Sequence, residues 1–150
     1  MYWILVIMAA IAAGIIALVV GGLVTPADYC VVRRIRLQRS THELRTLLAD
    51  LDAYDQWAPS PVTIERPASS DTEVVALRVT DDDTKSQIRW EWRIEADSAQ
   101  SVITLTEWGR VGNPVIRFFA ALRGHGGNAE RTLRALAEHF DEFGVSVERA

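Results

Sequence analysis

The chain is poor in the residues that most often announce a chemistry. It has one cysteine, Cys30, which excludes an intrachain disulfide and leaves no need for an oxidising compartment. A small apolar filler is the expected role of that thiol. Its three histidines are His42, in the first turn of a predicted helix, His125, in a glycine loop, and His139, on a later helix. No cysteine or carboxylate stands near them at metal-ligand spacing, so no metal, no cofactor and no catalytic constellation is expected. Asp81, Asp82 and Asp83 lack the glycine and closing glutamate of a calcium loop and read as a solvated turn. A concentrated basic face is also missing. The 16 basic and 20 acidic side chains give a formal charge of -4, with the arginines scattered, which argues against a nucleic-acid surface. There is no internal repeat and no low-complexity tract.

Charge is absent altogether from residues 1–27, and residues 2–24 are an almost unbroken run of Ile, Leu, Val, Ala, Met and Gly. A helix over that run is roughly 34 Å long, enough to cross a hydrocarbon core of about 30 Å. A cleaved secretory signal is the alternative, and it fits poorly: no basic residue precedes the run, the run is too long, and no A-x-A site follows. Tyr2 and Trp3 at one end and Tyr29 beyond the other suit an interfacial aromatic belt. Gly14, Gly21 and Gly22 raise the idea of helix pairing, although no G-x-x-x-G spacing exists among them. Arg33, Arg34, Arg36 and Arg39 follow the run and none precedes it, which places the carboxyl-terminal part in the cytoplasm. Those arginines read either as a solvated strand face or as a contact with anionic headgroups, worth about 1 kcal/mol per charge. The expectation is a single-pass protein, with residues 1–27 as transmembrane anchor and residues 28–150 as one domain.

Proline at Pro26 ends the anchor helix. Residues 29–38 alternate as a strand with Val31, Arg33, Ile35 and Leu37 on one face. Ser40 to Glu43 then has the form of a capping box, and Leu44, Leu47, Leu48 and Leu51 make one buried helical stripe. Tyr54 and Trp57 sit in a short turn before Pro59 and Pro61. Strands are predicted over 73–80, 87–95 and 101–108, joined by short turns as an antiparallel meander. In the second of these Ile88, Trp90, Trp92 and Ile94 share one face and Arg89, Glu91, Arg93 and Glu95 the other, the pattern of a sheet packed on one side and wet on the other. Asn113-Pro114 starts a helix expected to carry Val115, Phe118, Phe119 and Leu122 inward. Beyond Gly124, Gly126 and Gly127, a stripe of Ala129, Leu133, Leu136, Ala137, Phe140 and Phe143 predicts a terminal helix that is either bent or broken at the glycines and ends at Gly144. One apolar helix against one apolar sheet face is a two-layer α+β domain.

This order of parts, with LADLDAYDQWAP closing the leucine-rich helix and TEWGRVGNPVIRFFA leading into the last one, resembles the START-like (SRPBCC) superfamily over roughly residues 29–143. The carrying residues are Asp50, Trp57 and Pro59, and the Glu107-Trp108-Gly109 run before an Asn-Pro helix start. The branch it looks most like is the polyketide cyclase/dehydrase and lipid-transport-like proteins, some of which carry an amino-terminal membrane helix. The resemblance implies a helix-grip fold, in which an antiparallel sheet wraps a long terminal helix around a cavity for an apolar ligand. Only the stretch 58–72 separates Trp57 from Glu73, where the family usually places more strand, so a shortened sheet and a small or missing cavity are expected.

Arg33 and Glu107 each interrupt an apolar strand face. Pointing inward, they would line a cavity mouth and hold a polar ligand head, because a buried charge needs a partner. Near an edge or bulge, both would simply reach water. Trp90, Trp92, Trp108, Phe118, Phe119, Leu133, Leu136 and Phe140 are expected between sheet and helix, as core or as cavity lining. The leading functional expectation is non-catalytic binding of a lipid or other hydrophobic small molecule at a bilayer surface. A cyclase-like or dehydratase-like enzyme would need Glu107 as its acid or base. A tethered protein-interaction module would have a filled core instead.

Overall fold

The computed structural model describes residues 2–59, 62–65, 74–81 and 87–150. Its elements are α1 (Tyr2–Val24), β1 (Asp28–Leu37), α2 (Thr41–Ala49), α3 (Tyr54–Trp57), β2 (Val62–Glu65), β3 (Val74–Asp81), β4 (Gln87–Asp97), β5 (Gln100–Arg110), α4 (Pro114–Arg123), α5 (Gly127–His139) and β6 (Glu148–Arg149). The chain divides into two compact units. One holds α1 and its exit to Tyr29 together with Arg110–His125, and the other holds Cys30–Gly109 and Gly126–Ala150.

The larger unit is α+β, and among the described residues six strands form one sheet in the order β2-β3-β4-β5-β1-β6. The β2–β3, β3–β4, β4–β5 and β1–β6 pairs are antiparallel. Alternation dictates the face each residue takes. Ile88, Trp90, Trp92 and Ile94 of β4 are buried while Arg89, Arg93 and Glu95 are exposed. The β4–β5 hairpin closes with Asp97 opposite Gln100, and Ser98 takes a positive φ of 56° to make so tight a turn. The short interval after Trp57 still supplies a strand, β2. Asp81 closes β3, and the expected turn at Asp82 and Asp83 lies outside the described residues.

Two helices cover the packed face. Ser40 caps α2, its hydroxyl accepting from the Glu43 amide at 3.2 Å, and Leu44 and Leu48 are fully buried. α5 buries Ala129, Thr132, Leu133, Leu136 and Ala137, a stripe at helical spacing that joins Trp90, Trp92, Ile103 and Leu105 in one core cluster. Phe143 does not continue that stripe. The helix ends at His139, Asp141 and Gly144 take positive φ, and Phe143 turns out to solvent, 73% exposed. β6 has only two residues, both charged, and is held to β1 by backbone pairing of Arg33 with Arg149 and Arg34 with Glu148, so it carries no apolar pattern.

In the smaller unit α1 is long and apolar enough to cross a membrane, and none of its most apolar window is buried. α4 packs on its carboxyl end. Asn113 caps α4 by accepting from the Val115 amide at 2.9 Å, Pro114 occupies the first turn, and Gly124 ends the helix with a φ of 84°. The helix breaks between α4 and α5 instead of bending through.

Candidate functional site

β4 and β5 set Trp90 opposite Glu107, and alternation turns both toward α5. Glu107 is fully buried. Its Oε2 accepts from Trp90 Nε1 at 3.0 Å and from Asn128 Nδ2, in the first turn of α5, at 3.2 Å. One carboxyl oxygen can accept from both N–H donors, and it does so beside the amino-terminal turn of α5, the end of a helix that favours an acceptor. Arg33, half-buried on β1, donates to the Val32 carbonyl at 3.0 Å, and its guanidinium lies against Gly126, where a Cβ would collide with it. Arg33 and Glu107 therefore both arrive at the start of α5, Glu107 as a buried group and Arg33 as a half-buried one.

Beside this polar cluster lies an aromatic one. Trp92 meets Trp90 edge-on with ring centroids 6.0 Å apart and Trp57 with centroids 6.2 Å apart, while Tyr54 lies 4.8 Å from Trp57. Tyr54 donates its hydroxyl proton to the Leu48 carbonyl at 3.2 Å. The indole nitrogens of Trp57 and Trp92 are different: both are buried and neither has an acceptor among the described residues. Leu133, Leu136 and Phe140 bury their side chains in the same core.

Trp57, Tyr54, Gly126 and Asn128 are members of these clusters that the sequence pattern did not single out as site residues. Trp57 stood in the WAP run that carried the family resemblance, which was a usable signal. Asn128 had none, because it matters only through the spatial meeting of α5 with β5. Three expected members are elsewhere. Trp108 follows inward-facing Glu107 directly and must point to the opposite face, where Arg89 Cζ lies 5.4 Å from its ring centroid. Phe118 packs on Gly21 of α1, its ring 2.9 Å from where a Cβ would stand, and Phe119 is 42% exposed. Neither phenylalanine is in the sheet–α5 core. A separate open pocket of about 80 Å3, lined by Arg134, Ala137, Glu138, Glu142, Gly144 and Val145, is charged and well below the 300 Å3 or so of a typical ligand site.

No family model matches the chain, and no curated protein does. Among solved structures it is similar to the ZhuI aromatase/cyclase from Streptomyces sp. R1128, at 14% identity and a TM-score of 0.53, with 76% of this chain and 94% of that one covered. It is also similar to TTHA0849 from Thermus thermophilus, at 13% identity and a TM-score of 0.51, with 73% and 95% covered. At such identities the likeness is one of fold alone: an open antiparallel sheet with helices packed on it.

Proposed function

We propose that the chain is a membrane-anchored, non-catalytic binder of an apolar molecule, a lipid or another hydrophobic small molecule that carries a hydrogen-bond acceptor, with the sheet unit on the cytoplasmic side. The observation that carries this reading is the pair of buried indole N–H groups of Trp57 and Trp92, which find no acceptor among the described residues. A buried donor without an acceptor costs about 1–3 kcal/mol, and native interiors leave very few of them. A carbonyl, hydroxyl or carboxylate oxygen on a bound molecule recovers that cost, and Trp90, Leu133, Leu136 and Phe140 supply the apolar surroundings.

The anchor rests on α1. A core helix of this composition would be buried, whereas the apolar window of α1 is not, so a bilayer is the sink its side chains fit. Arg33, Arg34, Arg36 and Arg39 beyond it favour the cytoplasmic orientation. The enzymatic alternative has Glu107 as its acid or base, as the aromatase/cyclase fold relative would suggest by analogy. Two donors already converge on Glu107 Oε2, which favours a positioning role over proton transfer.

The test uses the full chain extracted in detergent. Mass spectrometry of an organic extract should find an oxygen-bearing apolar molecule, and oleate added to the stripped protein should shift the indole N–H resonances of Trp57 and Trp92. Trp92→Phe should weaken oleate binding by about tenfold, the equivalent of one lost hydrogen bond. An empty extract together with unmoved indole resonances refutes binding and leaves an interaction module with a filled core.

A further inference from the structure

α4 presents an apolar stripe that none of the described residues covers. Ile116, Phe119 and Leu122 recur every third residue, so they lie on one side of the helix, and they are 58%, 42% and 70% exposed. Its other side is fastened to the end of α1. Gly22 meets the Pro114 carbonyl so closely that no Cβ would fit, and the Phe118 ring covers Gly21. The Arg117 guanidinium gathers three carbonyls, those of Val111 at 3.1 Å, Thr25 at 3.2 Å and Gly112 at 3.0 Å. The Val111 amide donates to the Ala27 carbonyl at 2.9 Å, and beyond the helix His125 stacks on Tyr29 with ring centroids 4.4 Å apart and planes 10° apart.

Every one of these attachments to the α1 side falls between Gly21 and Tyr29, the last turn of α1 and the few residues after it. A helix of 10 residues is roughly 15 Å long. Held at its start and middle to so short a stretch, and with His125 just beyond its end stacked on Tyr29, α4 stays at the end of α1 where the chain leaves that helix. We infer that α4 is an in-plane membrane helix, seated at the bilayer surface where α1 emerges, with Ile116, Phe119 and Leu122 buried in the boundary between headgroups and acyl chains.

This rests on α1 spanning the bilayer. Given that, the level of α4 is fixed by geometry, because its tethers belong to the residues that leave the hydrocarbon. The polar groups agree with the placement. Backbone carbonyls near hydrocarbon must be satisfied from within the protein, and Arg117 does this for the exit of α1 and the entry of α4. Arg123, exposed at the last turn of α4, stands where a cation meets anionic headgroups, while Arg110 pairs with Asp28 at 3.8 Å. An apolar stripe continuous with a spanning helix and closed by an exposed arginine is the pattern of an interfacial helix.

The experiment labels single cysteines with a nitrobenzoxadiazole dye in the full chain carrying Cys30→Ser, reconstituted in phosphatidylcholine and phosphatidylglycerol vesicles. Ile116→Cys, Phe119→Cys and Leu122→Cys test the stripe, Ile11→Cys tests the spanning helix, and Glu138→Cys gives an exposed reference on α5. Labels at 116, 119 and 122 should be quenched by doxyl lipids and reduced by aqueous dithionite about tenfold more slowly than the label at 138. Rapid reduction at 116, 119 and 122 with a protected label at 11 overturns the inference and leaves the anchor standing. Rapid reduction at 11 as well removes the anchor itself. Labels shielded from dithionite yet untouched by doxyl lipids show that protein, and not lipid, covers the stripe, which also overturns it.

Discussion

Glu107 gives the sharpest test of how the larger unit is held together. Replacing it by alanine removes an acceptor shared by Trp90 and Asn128, leaves the Trp90 indole orphaned beside those of Trp57 and Trp92, and opens a space beneath α5. Orphaning the buried Trp90 indole costs about 1–3 kcal/mol and the space left beneath α5 adds about 2 kcal/mol, about 3–5 kcal/mol in all. Glutamine is nearly isosteric, and its single carbonyl oxygen can stand where Oε2 does and accept from both donors. Because both donors keep an acceptor, Glu107→Gln should cost less than about 1 kcal/mol. At roughly 4 °C per kcal/mol, the alanine variant should melt about 12–20 °C lower and the glutamine variant within about 4 °C of the parent. The assay is thermal unfolding of the full chain in detergent, followed by near-ultraviolet dichroism of the tryptophans. An alanine variant as stable as the parent, or a glutamine variant as damaged as alanine, refutes the positioning role. Ligand retention by Glu107→Gln then separates carrier from enzyme: a carrier keeps its ligand, while an enzyme that uses Glu107 as acid or base loses turnover.

The helix caps are a second check. Ser40→Ala and Asn113→Ala each remove a side-chain acceptor at a helix start and should each cost about 1 kcal/mol, with hydrogen exchange speeding up at Glu43 in the first variant and at Val115 in the second. Equal exchange in variant and parent would count against the cap assignments. Gly22→Ala drives a Cβ into the Pro114 carbonyl and must push α4 off α1, at about 1–3 kcal/mol of overpacking. Trypsin should then cut after Arg117 and Arg123 about tenfold faster in detergent, with the melting of the sheet unit unchanged. An unaltered digestion rate would mean that α4 is not held there.

Much of the larger unit was legible because its signals are short-range and redundant. The alternation in Gln87–Asp97 can be satisfied only by a strand with Trp90 and Trp92 inward, and Ser40 three residues before Glu43 can cap only one helix. Arg33 and Glu107 stood out because each breaks an apolar face, and the structure brings both to the first turn of α5. What the pattern hid depends on partners far away in sequence. β6 is two charged residues that become a strand only because β1 offers an open edge. Asn128 becomes part of the site only because Glu107 is beneath it. Trp108 is a different case, since adjacent strand residues cannot share a face, and choosing Glu107 as inward already excluded its neighbour.

α4 shows why amphipathicity alone did not locate an aromatic pair. An apolar stripe at helical spacing says that one side of a helix avoids water, and it says nothing about which water-free phase receives it. In a soluble chain the default is the protein core, and that default sent Phe118 and Phe119 to the sheet. This chain has a second candidate phase, supplied by its own apolar α1, and Gly21 and Gly22 mark the docking point. Gly14, Gly21 and Gly22 suggested helix pairing from the sequence, and two of them, Gly21 and Gly22, pack against α4 of the same chain. Small residues let backbones approach, so a glycine pair at the end of an apolar helix is best read together with any short amphipathic helix that follows an Asn-Pro start. Taken together, those three features point Phe118 toward α1 before any coordinate is known.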